Sequence, residues 1–389
     1  MDDTLIIPRA GKARGPWVNG LAWDALWLQS ALWLAPLAVL LVYGYEDPDD
    51  SPLDVLVFAV TALFWIGHRL GSSWLAYATT AYRQLVRDEP MRFVFVPIAI
   101  AAACFAILLP GDEVLPFTRV QRVVALATVD FVFITYHFAA QHFGVLSLYR
   151  MRSGRAADVW TRRIDRLFAL SVGGALVVAV EAVLQTNLFR ELWIPPWLDL
   201  EMSAELSGTL RIVAIVLALS LALAAIASEA RAPKVSAPRV LYVAGVAMMV
   251  GGGLYMEQPL LFVTVWTAQH WLVASALATR VASAEPAAPH SLVWRWLHEI
   301  NRRPWALLLV LALLSILLLP VMEVEAIRVE GTYYGDRIFG TFATALRSSD
   351  WVPALVALGF STGFLHYWLD RAVYRLSRPA IRIAARGLL

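Results

Sequence analysis

The sequence has one cysteine, Cys104, in 389 residues. That excludes an intrachain disulfide, a cysteine zinc site and a cysteine-ligated iron–sulfur cluster. Charge is also scarce: Asp, Glu, Lys and Arg make up 16% of the chain, against roughly 25% in soluble domains. The formal net charge is +2, and no basic cluster is interleaved with aromatics, so nothing marks a nucleic-acid partner. A short cleavable signal core is missing as well. Residues 1–20 are polar and basic, and the apolar run after them is of spanning length.

What the chain holds in abundance is apolar surface. Hydrophobic residues make up 59% and the mean hydropathy is +0.63. A bilayer crossing needs about 20 mostly apolar residues. Ten segments meet that need, near 24–44, 53–80, 93–110, 122–149, 167–187, 207–228, 240–256, 259–279, 305–322 and 352–374. The expected fold is all-α: one polytopic membrane bundle covering residues 1–389. The seventh segment is short and carries Gly245 and Gly251-Gly252-Gly253, small residues of the kind that let membrane helices approach closely.

The loops test the count independently. Arg and Lys concentrate before the first span and after the even-numbered spans, as in Arg83, Arg150, Arg155, Arg239, Arg295 and Arg378. Acids concentrate in the opposite loops, as in Glu46, Asp112, Glu191 and Glu325. By the positive-inside rule both termini are expected in the cytoplasm of a bacterial inner-membrane protein. Residues 281–304, with Trp294, Trp296 and His298 beside several arginines, read as an inner interfacial helix.

Histidine is the informative residue type. His290 and His298 fall in that loop and read as solvated or interfacial, whereas His68, His137, His142, His270 and His366 fall inside spans. All five lie on even-numbered spans, eight to fifteen residues before a boundary arginine. At 1.5 Å rise per residue this sets them in the middle or inner half of the membrane. One buried histidine is ordinarily a neutral ring bonded across a helix interface. Five in one layer point to a metal, because ionisable groups inside a bilayer are costly.

His366 and Asp370 are four apart and share a helix face. Asp370 is therefore expected as a ligand or as the group that orients a ring. Its ordinary alternative is an ion pair with Arg371 or Arg375. His137 and Gln141 have the same spacing, but His137 and His142 differ by about 140° around an ideal helix, so one of them should miss a shared centre. Asp130 and Glu181, in outer halves of adjacent spans, could share a proton. Phe143, Trp271, Tyr367 and Trp368, next to the histidines, are expected to line a substrate cavity.

Imidazole with carboxylate suits iron, zinc or copper. The HxxxH and HxxHH boxes of membrane desaturases are not found. Gln141-His142-Phe143-Gly144 and His366-Tyr367-Trp368-Leu369-Asp370 resemble histidine motifs of the bacterial Brp/Blh-type carotene dioxygenases, multispan proteins built around non-haem iron. The resemblance implies His68, His142, His270 and His366 as ligands. It departs at His68, which is followed by Arg69, and at the paired-histidine segment, where Gln269-His270 stands. The leading expectation is a non-haem iron oxygenase acting on a lipid or isoprenoid drawn from the membrane, with an electron donor or a second copy of the chain as partner. The alternatives are a bis-histidine b-haem electron-transfer protein, a zinc-dependent lipid hydrolase, and a transporter or structural subunit.

Overall fold

A computed structural model of the chain describes residues 15–43, 64, 67–155, 158–184, 204–255, 259–285, 291–318, 328–329, 332–333, 341, 345–346 and 348–389. Apart from a two-residue β-pairing of Arg328–Val329 with Thr332–Tyr333, the regular structure is helical. The helices are α1 (Leu21–Leu26), α2 (Ala31–Tyr43), α3 (67–78), α4 (Thr80–Asp88), α5 (Val96–Leu108), α6 (Arg119–Arg152) and α7 (Val159–Leu184). They continue as α8 (Ala204–Ala230), α9 (Ala237–Tyr255), α10 (Pro259–Ser283), α11 (Leu292–Arg302), α12 (Pro304–Leu317), α13 (Val352–Val373) and α14 (Pro379–Ala384). A π-helical turn, Met91–Phe95, leads into α5.

Local chemistry sets the boundaries. The long helix α6 starts at a capping box: the Thr118 hydroxyl accepts from the Gln121 N–H at 3.3 Å and the Gln121 side chain accepts from the Thr118 N–H at 3.0 Å. Asp158, just before α7, accepts from the Thr161 N–H at 3.0 Å and from its hydroxyl at 2.5 Å. With 34 residues, α6 extends about 50 Å, longer than a bilayer core is thick.

Five helical stretches are long and apolar enough to cross a membrane: Met91–Leu108, Arg119–Arg152, Glu205–Ala230, Ala237–Tyr255 and Val352–Val373. A sixth arises if α11 and α12, bent by 108° at Arg303, count as one broken span. These are five or six among the described residues, fewer than the ten segments read from hydropathy. Much of 44–66 and 185–203 lies outside the described residues. The exposed faces carry the same message. On α8, Ile212, Val213, Val216 and Leu223 are all more than half exposed. Such a face suits lipid rather than water.

The interior holds two polar clamps that hydropathy does not reveal. Arg239 is fully buried and donates to Asp165 and, at 2.8 Å, to Glu229. Arg150 reaches Asp165 at 2.8 Å and Arg155 reaches Glu229 at 2.6 Å. This network ties together α6, α7, α8 and α9, and each acid has two cationic partners, as burial demands. The second clamp is Glu285, which accepts from the Thr80 N–H at the start of α4 and from Asn301 Nδ2 at 3.0 Å on α11. His298, expected to be solvated, is buried with its Nδ1 3.3 Å from Glu285 Oε2.

Small residues fix the closest helix approaches. A Cβ at Gly245 would lie 2.9 Å from Leu32 Cγ, so α9 packs on α2 at glycine distance. The run at Gly251 and Gly252 makes no such contact. Gly173 on α7 similarly meets Thr135 and Ala139 of α6.

Candidate metal centre

Four helices bring one imidazole each to a common point: His68 on α3, His137 on α6, His270 on α10 and His366 on α13. Ring centroids are 4.6 Å apart for His68–His366 and for His137–His366, 4.9 Å for His137–His270 and 5.1 Å for His68–His270. All four are buried. Nε2 of His137 faces Nε2 of His366 at 3.0 Å. Asp370 Oδ1 is 3.5 Å from His366 Nδ1, and its Oδ2 is 3.6 Å from His137 Nε2.

Two overlapping donor sets result. His68, His270 and His366 offer one nitrogen each within 4.8 Å of one another, and His137, His366 and Asp370 offer two nitrogens and a carboxylate oxygen within the same distance. The expected helix-face pairing of His366 with Asp370 is realised in the second set. His366 Nδ1 is buried with no hydrogen-bond partner, an orphaned donor atom of the kind that a metal would satisfy.

The surrounding groups fix the other two tautomers. The Nδ1–H of His68 donates to the Phe64 carbonyl at 3.3 Å. The Nδ1–H of His270 donates to Gln141 Oε1, while Gln141 Nε2 donates back to the His270 carbonyl at 3.1 Å. Carbonyl oxygens only accept, so each ring holds its proton on Nδ1 and its lone pair on Nε2. Metal-ligating histidines ordinarily donate their other N–H in this way.

His142 is the correction. It makes no ring contact with the other four among the described residues. Its Nδ1–H donates to the Tyr242 hydroxyl at 2.8 Å, and Trp266 Nε1–H donates to its Nε2 at 3.3 Å. Both nitrogens are thus occupied by protein, and the stack of Trp266 on Phe138 leads from it to His270. The physical reason is the helix geometry: positions 137 and 142 point in different directions, and α13 lies on the side of 137. The four rings that converge are therefore His68, His137, His270 and His366, with His142 apart from them. Gln141 is not in either donor set; it holds His270.

A cavity of about 790 Å³ opens beside this cluster between α5, α6 and α13. His137, Gln141 and Asp370 form its polar floor, and Phe143, Tyr367 and Trp368 are in its wall. Trp271 is not: it stacks on His68 with centroids 5.8 Å apart. Phe133 and Tyr136, also in the wall, are about half exposed on the outer face of the bundle. The cavity thus reaches the surface of the bundle.

No family model, curated protein or solved structure matches this chain. Asp130 lies against Gly363 of α13, outside both donor sets. The side chain of Glu181 lies outside the described residues.

Proposed function

We propose that the chain is a membrane-embedded oxygenase of a bacterial inner membrane, using a histidine-held non-haem iron on a long apolar lipid substrate. The bundle would cross the membrane about ten times with both termini cytoplasmic. The observation that carries this reading is the set His137, His366 and Asp370 at the floor of an apolar cavity that reaches the surface of the bundle. Two histidines and one carboxylate with open positions are the donor set of non-haem iron oxygenases. Iron bound there would supply dioxygen activation.

The protein's own groups do the rest. Gln141 and the Phe64 carbonyl hold two imidazoles in one tautomer. Asp370, on the face it shares with His366, balances the charge of a cation and sets the orientation of the adjacent rings. Phe143, Tyr367 and Trp368 position an apolar chain and keep water from the reacting carbon. Access from the side suits a substrate that never leaves the bilayer.

The packing weighs against a b-haem. The Nε2 atoms of His137 and His366 are 3.0 Å apart, less than the roughly 4 Å that two metal–nitrogen bonds need end to end. The four rings also touch edge to face, with no interval for a porphyrin. Zinc suits the same donors, so metal identity is the test. The purified full-length protein should hold stoichiometric iron and show no Soret band, and His137→Ala and His366→Ala should each lose the metal. Stoichiometric zinc would replace the oxygenase by a hydrolase. Absence of any metal after aerobic, chelator-free purification would leave a transporter or structural role.

A further inference from the structure

The wall of the cavity runs along α6 from Leu126 to Leu148, about 33 Å at 1.5 Å per residue. The polar floor at His137 and Asp370 interrupts it near its middle. Its inner end differs chemically from the rest, because Arg371 and Arg375 line it. Both are exposed, and neither forms an ion pair among the described residues. Their neighbours are already accounted for. Arg378 takes both carboxylate oxygens of Glu89, at 2.6 and 2.8 Å, which holds that carboxyl below its usual range. Arg92 also lies 3.6 Å from Glu89 and donates to the Arg371 carbonyl at 3.2 Å. Glu89 is thus spent on other arginines, and two guanidinium groups remain facing a long apolar slot.

We infer that the slot binds one long-chain anionic lipid, its carboxylate or phosphate head between Arg371 and Arg375 and its chain laid along α6 past His137 and Asp370. This rests on the reading of the site as a lipid-modifying metal centre and names its substrate class. Arginine suits either head, since its fork pairs with carboxylate and phosphate oxygens alike. Arg371 follows Asp370 directly on α13, and Arg375 lies just past the end of that helix. A head fixed there puts an interior carbon of the chain, not its end, over the metal-binding groups.

The test uses full-length protein in zwitterionic-lipid nanodiscs. The probes are spin-labelled stearic acid, its methyl ester and a long-chain alkyl phosphate carrying the same label, read as the immobilised fraction by electron paramagnetic resonance. The acid and the phosphate should both be immobilised, and the ester should bind about tenfold more weakly. Arg371→Gln with Arg375→Gln should weaken the two anions at least tenfold and leave the ester unchanged. Arg371→Lys with Arg375→Lys should retain most of the binding. Ala140→Trp, which fills the slot, should abolish immobilisation of all three. Equal binding of acid and ester, or an acid insensitive to loss of both arginines, overturns the inference. So does failure of every probe together with self-association of the chain through this face, which would make the slot an interface between copies. Metal content of the glutamine variants should equal that of the wild type. A wild type without metal that still selects anions would reject the enzyme reading and spare the lipid site.

Discussion

Gln141 is the most discriminating residue to change. Replacing it by leucine keeps the volume and removes both bonds to His270, the one to the ring Nδ1–H and the 3.1 Å bond to the backbone carbonyl. His270 is 1% exposed, so water does not take over either bond. Leaving a buried donor and acceptor unpaired costs on the order of 1–3 kcal/mol of stability. The ring is then free to change tautomer and rotate. Loss of such an outer partner typically lowers metal affinity about 10–100-fold, equivalent to about 1.4–2.8 kcal/mol. The assay is a competition titration: chelator-stripped full-length protein takes up Fe(II) or Zn(II) against a chelator of known affinity, beside a thermal melt. Gln141→Leu should show the affinity drop, and Gln141→Glu, which still accepts from Nδ1–H, should recover most of it. A Gln141→Leu protein that stays folded and binds metal within twofold of the wild type would refute a role for His270 in metal binding and leave only His137, His366 and Asp370 as donors.

Further outcomes follow from the same geometry. His142→Phe should leave metal stoichiometry unchanged while lowering the thermal midpoint, because its nitrogens serve Tyr242 and Trp266; metal loss in that variant would restore His142 to the donor set. Arg239→Ala leaves Asp165 and Glu229 each short of a partner in a buried network and should cost about 3–5 kcal/mol, read as a large drop in melting temperature with the metal donors intact. Gly245→Val forces a side chain into Leu32 and should cost about 1–3 kcal/mol by overpacking, seen in the same melt. Thr161, donating through hydroxyl and N–H, holds Asp158 down at about 2, against its ordinary 3.8. A depressed folded-state value means that this stabilisation is complete above about pH 4 and disappears as pH falls through about 2. Hydrogen exchange at the start of α7 should therefore rise over that window in the wild type, and stay flat in Asp158→Ala.

The sequence by itself determined the solvent and the element type. Long apolar runs with 16% charge have no soluble solution, and backbone groups in lipid must be satisfied within helices. It also set His366 and Asp370 on one helix face, since residues four apart on a helix are neighbours whatever surrounds them. Between His137 and His142 it could only state that one must point away. Which one does depends on how α6 is rotated about its axis, and that is set by the neighbours it packs against, α13 on one side and Tyr242 and Trp266 on the other. The same holds for Gln141, whose partner is 129 residues away, and for Arg239, which reads as an ordinary boundary arginine until α7 and α8 bring Asp165 and Glu229 to it. Periodicity fixes what shares a face within one helix; the azimuth of each helix, and therefore the composition of the centre, is decided by packing between helices.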